Sequence, residues 1–170
     1  MDGEGVIAVA LRGGGAWIAN LGRTNDDRSW QRMHVSDVND VCTARVPWSL
    51  EIEYTNVSQI DNLGARLGIQ DSPIRMDNQA KQVLLAAGKG DILLRLLSPG
   101  RDDYKEKIRN QAADTLLVEE AGGKVPDLAG KVLDFSSDSK LVKNIGVFAS
   151  IGLLHDEVLE ELKTWKRSKQ

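Results

Sequence analysis

Two apolar stretches open the chain, Gly5 to Arg12 and Ala16 to Asn20, and Gly13-Gly14-Gly15 separates them. That arrangement predicts a β-hairpin turning on the glycines. A glycine-rich turn can also cradle phosphate, but it then needs a helix N-terminus directly after it, and here another β-like run follows. Leu21 to Trp30 is a polar loop. Gln31 to Ser36 predicts a short strand with Met33 and Val35 on one face, and "DVCTARV", ending at Val46, predicts another. "PWSLEIEYTN" carries no decisive pattern.

Helical spacing takes over further along. Ile60, Leu63, Ala65 and Leu67 suit a helix ending at Gly68, and "SPIRM" a short extended element. Asn78 to Gly88 predicts a helix capped by Asn78, with Ala80, Val83, Leu84 and Ala87 on its apolar face. Asp91 to Leu97 is apolar almost throughout, as in a strand buried on both faces. Arg95 interrupts it and needs a partner or ligand, such as Asp77 or Glu119. A helix from Lys105 to Ala121 follows, with Ile108, Ala112, Leu116 and Ala121 on one face and Gly122-Gly123 as its stop. Short β segments near Lys124 and Val132, a strand over Asn144 to Ser150 and an amphipathic helix from Leu153 to Lys166 complete the pattern. Alternation of this kind defines a layered α/β domain, taken as one unit over residues 1–170.

The 170 residues can bury a core without staples, and Cys42, the only cysteine, rules out an internal disulfide or a thiolate zinc cluster. A net charge of -3 gives no broad electrostatic footprint for nucleic acid or an anionic membrane. The apolar runs fall short of the ~20 residues that span a bilayer, and the acidic start is unlike a signal or transit peptide. A soluble, cytoplasmic protein is expected, with no cofactor, no nucleic-acid partner and no membrane partner. The basic C-terminal "KTWKRSKQ" reads as a solvated helix end.

Three collinear segments carry more specific information. "MDNQAKQVLLAAGKGDILLRL", "YKEKIRNQAADTLLVEEAGGKVPDLAGKVLDF" and "NIGVFAS", with "GGGAW" and "SWQRMHVS" nearer the start, resemble the C-terminal half of fungal-like bisphosphate nucleotidases, members of the inositol monophosphatase superfamily that dephosphorylate phosphoadenosine phosphate. The resemblance implies that fold. It also implies magnesium ligands from a first domain, whose acidic glutamate pair and Asp-Pro-Ile-Asp-Gly-Thr motif do not occur in this sequence. A further ligand would be the aspartate of a Trp-Asp pair heading the Lys105–Ala121 helix. Arg109-Asn110 stands there instead. Mg²⁺ favours charged oxygen ligands, whereas asparagine offers a neutral carbonyl and the adjacent arginine adds a positive charge. Loss of metal-dependent hydrolysis is therefore expected.

By the same resemblance, Lys81 and Arg95 match basic residues that face the nucleotide, Asn78 replaces a serine, and Glu53, Tyr54 and Thr55 replace Lys-Gly-His around the ligand. An aromatic ring in place of glycine would fill the old nucleotide space. Tyr54, with Trp48, either shapes a new pocket or simply fills space beside the missing domain. The expected site sets Arg95, Lys81, Asn110 and Arg109 as catalytic groups against Trp48, Glu53, Tyr54, Thr55 and Asn78 as binding groups, and contains no metal.

That mixture suits a largely apolar small molecule with one carbonyl or carboxylate, and a metal-independent cyclase or isomerase, including cycloaddition of the Diels-Alder kind in fungal secondary metabolism. The alternatives are a pseudo-phosphatase that binds a phosphorylated nucleotide without turnover, or an interaction and regulatory protein. A homodimer, with Trp17 and Trp30 as candidate contact residues, could cover the face left by the first domain. His34 and His155 are expected to be structural.

Overall fold

The computed structural model describes residues 5–48, 57–72, 74–76, 79–96 and 104–167. The opening hairpin forms as the pattern predicts: β1 (Val6–Leu11) pairs antiparallel with β2 (Gly15–Asn20), Val6 opposite Asn20 and Leu11 opposite Gly15. Gly13 and Gly15 both take positive φ, 76° and 86°, which only glycine adopts without strain. The loop beyond contains two 3-10 turns, Leu21–Arg23 and Asp27–Ser29.

The third strand is shorter than its sequence suggests. β3 covers only Gln31–Arg32 on β2. Met33 still donates to the Ala16 carbonyl at 2.8 Å, but Val35 N–H turns away to the Ala121 carbonyl at 2.9 Å. "DVCTARV" is not a strand: Val41–Thr43 is a 3-10 turn, because the Asp40 carboxylate accepts the Cys42 N–H at 2.9 Å and draws the backbone into a local cap. Asp91, fully buried, then takes Arg45 out of any ladder. It accepts the Arg45 backbone N–H at 2.7 Å, the guanidinium at 2.8 and 2.9 Å, and the Ser36 hydroxyl. Burial opposes ionisation there, but the Arg45 and Ser36 hydrogen bonds outweigh it and hold the carboxyl below its ordinary pKa.

β4 (Pro47–Trp48) pairs in parallel with β5 (Ile74–Arg75), and α1 (Val57–Arg66) lies between them in sequence. The second three-stranded antiparallel sheet has the order β6 (Ile92–Arg95), β8 (Val147–Ile151), β7 (Gly123–Lys124). Every residue of the central β8 is buried, which is why that segment reads as an unbroken apolar run. Near Val132 there is only an isolated bridge to Pro126, and the Val132 side chain is 82% exposed.

α3 (Ile108–Glu120) packs against both α2 (Ala80–Ala86) and the β1–β2 hairpin, and α4 (His155–Arg167) packs against α1. Gly88 closes α2 at φ 68°, with the space for a Cβ taken by the His34 carbonyl. The buried faces differ from the apolar ones. α2 buries Lys81 and Gln82 with Leu85 and Ala86, and α3 buries Gln111, Thr115, Leu117 and Val118 while Ala112 is exposed. Gln82 and Gln111 turn inward and bond each other across the two helices, Nε2 of Gln82 donating to Oε1 of Gln111 at 3.1 Å. The expected cap residue Asn78 lies outside the described residues; Gln79 precedes α2 and makes no side-chain cap.

Candidate functional site at the α2–α3 junction

The N-terminal ends of α2 and α3 and the end of β6 bring the predicted Lys81, Arg95, Arg109 and Asn110 to one part of the fold. Arg95 Nη1 donates to Glu106 Oε2 at 2.9 Å, while Glu119 pairs with Arg12 at 4.0 Å and Asp77 lies outside the described residues. Glu106 is 6% exposed and also accepts from Gln111 Nε2 at 3.2 Å; Gln111 Oε1 accepts from Gln82 Nε2 at 3.1 Å. One chain of hydrogen bonds thus runs from β6 through the start of α3 into α2. Arg95's other guanidinium N–H groups have no partner among the described residues.

Gln79 fastens the two helix starts by donating its amide to the backbone carbonyl of Asn110. Lys81 is 4% exposed, with Nζ 3.4 Å from the Met76 carbonyl. Arg109 is exposed and Asn110 half-buried in the first turn of α3. Asp114, one turn on, has a buried Oδ2 without a hydrogen-bond partner in the described structure, and so do Gln82 Oε1 and Thr115 Oγ1. Burial pushes the Asp114 carboxyl up to about 6, against the field of Arg95.

Of the binding residues expected from sequence, Glu53, Tyr54, Thr55 and Asn78 lie outside the described residues, and Trp48 contributes its backbone to β4. Sequence reading overlooked Glu106, Gln82, Gln111 and Asp114. The apolar spacing gave no signal for them, because Gln82 and Gln111 lie off the faces it marks. Trp17 and Trp30 are half-buried and donate their ring N–H to Gly14 and Thr24 carbonyls in their own loops. His34 is exposed, and buried His155 bonds Ser150 Oγ through Nδ1 at 2.7 Å.

Among the described residues no group of three His, Cys, Asp or Glu side chains is placed to hold a metal. In the described part of this junction Arg109 adds positive charge and Asn110 contributes a neutral side-chain amide to the first turn of α3. What it offers is cationic and amide donors for an anionic or polar ligand. No helix among the described residues is long and apolar enough to cross a membrane.

The fold is that of about half of an inositol monophosphatase-type protein. The extragenic suppressor protein suhB of Bartonella henselae superposes with a TM-score of 0.63 at 21% identity, covering 91% of this chain and 52% of that one. An inositol monophosphatase from Anabaena gives 0.58 at 18% identity over 88% and 54%. Within that fold, the chain is a relative of the bisphosphate nucleotidases. It is 38% identical over 165 residues to the 3'(2'),5'-bisphosphate nucleotidase of Emericella nidulans, and 36% over 157 residues to that of Schizosaccharomyces pombe. These alignments cover 95% and 92% of the chain but 45% and 43% of the relatives, so it spans less than half the length of the relatives it matches. No family model matches the chain.

These relationships overturn the expectation of a non-phosphatase, metal-independent cyclase or Diels-Alder-type isomerase. The relatives are named as bisphosphate nucleotidases, and nothing among them points to cyclisation. The pseudo-phosphatase alternative gains no better support. The expectation rested on Arg109-Asn110, on first-domain motifs that do not occur in this sequence and on Glu53, Tyr54 and Thr55, and none of these differences identifies a new reaction class.

Proposed function

We propose that the chain is the ligand-holding part of a phosphatase of the bisphosphate nucleotidase type, acting on a nucleoside 3',5'-bisphosphate. The observation that carries the reading is the relationship to bisphosphate nucleotidases over 92–95% of the chain. Hydrolysis adds water across the phosphomonoester, releasing the nucleoside alcohol and inorganic phosphate. Arg95, fixed by Glu106, offers its remaining N–H groups to the anion, and charge-assisted bonds of this kind are strong and directional. Lys81, withdrawn from water, adds a positive field. The α3 start with Arg109 favours negative charge. The carboxylates that hydrolysis requires come from outside the described residues.

Calorimetric titration with adenosine 3',5'-bisphosphate tests the first half of this reading, and phosphate release after co-expression with the uncovered part of the Emericella nidulans relative tests the second. Saturable binding that weakens at least about tenfold in Lys81→Met, with phosphate released by the paired polypeptides, is the expected result. Absence of both binding and release rejects the proposal.

A further inference from the structure

A separate cationic site lies at the other end of α2. A cleft of about 670 Å³ opens between β2, β3, the loop joining them and the residues that follow α2. Arg23, Arg28, Arg32 and Lys89 all line it, and none of the described lining residues is an aspartate or glutamate. Lys81 sits in the first turn of α2 (Ala80–Ala86) and Lys89 beyond its C-terminal end, and none of Lys81, Arg95, Arg109 and Asn110 lines the cleft, so it is distinct from the α2–α3 junction.

The four cations are not spent on internal pairing. The chain's ion pairs among described residues use Arg12, Arg45, Arg66, Arg95, Lys124, Lys143 and Lys163, and none of the four. Two neighbouring carboxylates are committed elsewhere. Asp26 accepts the Arg28 backbone N–H to cap its 3-10 turn, and Glu120, in the field of Arg32, gives its two oxygens to Gly13 and Gly15. Arg32 is braced over Trp17, its guanidinium carbon 5.8 Å from the ring centroid. Buried Ala19 and Met33, with half-buried Ala87, supply an apolar floor.

Like charges converging on one cavity repel unless an anion joins them, and here they do so in a chain whose net charge is -3. Arginine forks match phosphate oxygens bidentately. The volume is that of a small-molecule site. We propose that this cleft binds a phosphorylated small molecule, its phosphates held by Arg23, Arg28 and Lys89 and its body resting on the Ala19–Met33–Ala87 floor. The site does not depend on the function proposed above.

The test is calorimetric titration of the full chain with inorganic tripolyphosphate at low salt, comparing the unmodified protein with Arg23→Glu/Arg28→Glu, Lys89→Glu and Arg109→Ala. These side chains are exposed, and equal thermal midpoints without ligand check that the variants fold. Binding that weakens at least about tenfold in the double variant and in Lys89→Glu, falls with added salt and is unchanged in Arg109→Ala supports the site. No binding at low salt, or binding lost in Arg109→Ala and retained in the double variant, overturns it. A short single-stranded RNA that binds through the same arginines more tightly than tripolyphosphate would overturn the small-molecule assignment.

Discussion

Glu120, the last residue of α3, holds the turn of the opening hairpin more than a hundred residues earlier: its Oε1 accepts the Gly13 N–H at 2.7 Å and its Oε2 the Gly15 N–H at 2.9 Å. The glycine turn that could have cradled a phosphate is thereby filled by the protein's own carboxylate. Hydrogen bonds from Gly13 and then Gly15 lower the Glu120 pKa below its ordinary value of 4.5. A carboxyl depressed in this way contributes stability above that value and loses it as acid titrates the folded group.

Replacing Glu120 by glutamine removes one acceptor and the charge. Glu120→Gln is expected to lower the thermal midpoint at pH 7 and to speed hydrogen exchange at the Gly13 and Gly15 amides, with the two proteins converging well below pH 4.5. Unchanged exchange at both amides would mean that the turn is held by its own strands alone.

The Arg95–Glu106 pair predicts a strongly non-additive mutant cycle. Both side chains are largely buried, and removing one partner strands the other charge at a cost of about 3–5 kcal/mol. Arg95→Met and Glu106→Leu should each destabilise by that order, while the double variant should regain much of the loss. Denaturant unfolding of the four proteins measures it. Additive losses would show that the two charges do not depend on each other.

The same pair marks the limit of what the sequence makes legible. An apolar run broken by Arg95 shows that a buried charge needs a partner, but only the packing of α3 on the end of β6 selects Glu106. The hairpin, α1, β8 and α4 follow local periodicity and are readable in one dimension. "DVCTARV" misleads because the Asp40 and Asp91 side chains take backbone N–H groups that a strand would have used. The inward faces of α2 and α3 mislead for a related reason: Gln82 donates to Gln111 across the interface, so hydrophobicity does not mark the buried side. Of the site, Lys81, Arg95, Arg109 and Asn110 are reached through family resemblance, whereas the bonds that join their elements, Arg95–Glu106, Gln111–Glu106, Gln82–Gln111 and Gln79–Asn110, are tertiary.

Asp114 should make the protein less stable as pH rises. Its carboxyl is raised to about 6 by burial, so the folded state holds a proton that the unfolded chain releases near 3.8. The favourable contribution is complete below 3.8 and disappears as pH climbs through 6. With its partial exposure taken into account, charging it costs about 1–2 kcal/mol at neutral pH. Asp114→Asn is expected to be more stable than the parent at pH 7.5 and to lose that advantage near pH 4. Parallel denaturation curves at both pH values would contradict the assignment.

His155 acts in the opposite sense, which gives the Asp114→Asn protein a second use. Burial, with the positive field of Lys124, lowers the His155 pKa below 6.5, and the ring sits against Phe148 at a centroid distance of 5.0 Å with Nδ1 on Ser150 Oγ. The unfolded chain therefore takes up a proton that the folded one resists. Stability from this group is present above 6.5 and falls as pH drops through that value. In the parent protein the two residues oppose each other across pH 5 to 7 and partly flatten the stability profile. Once Asp114 is removed, stability should rise with pH across that window. Adding His155→Gln to Asp114→Asn should flatten it again. Thermal midpoints at half-unit pH intervals decide the matter, and a profile of Asp114→Asn that still declines from pH 5 to 7 would show that neither residue governs it.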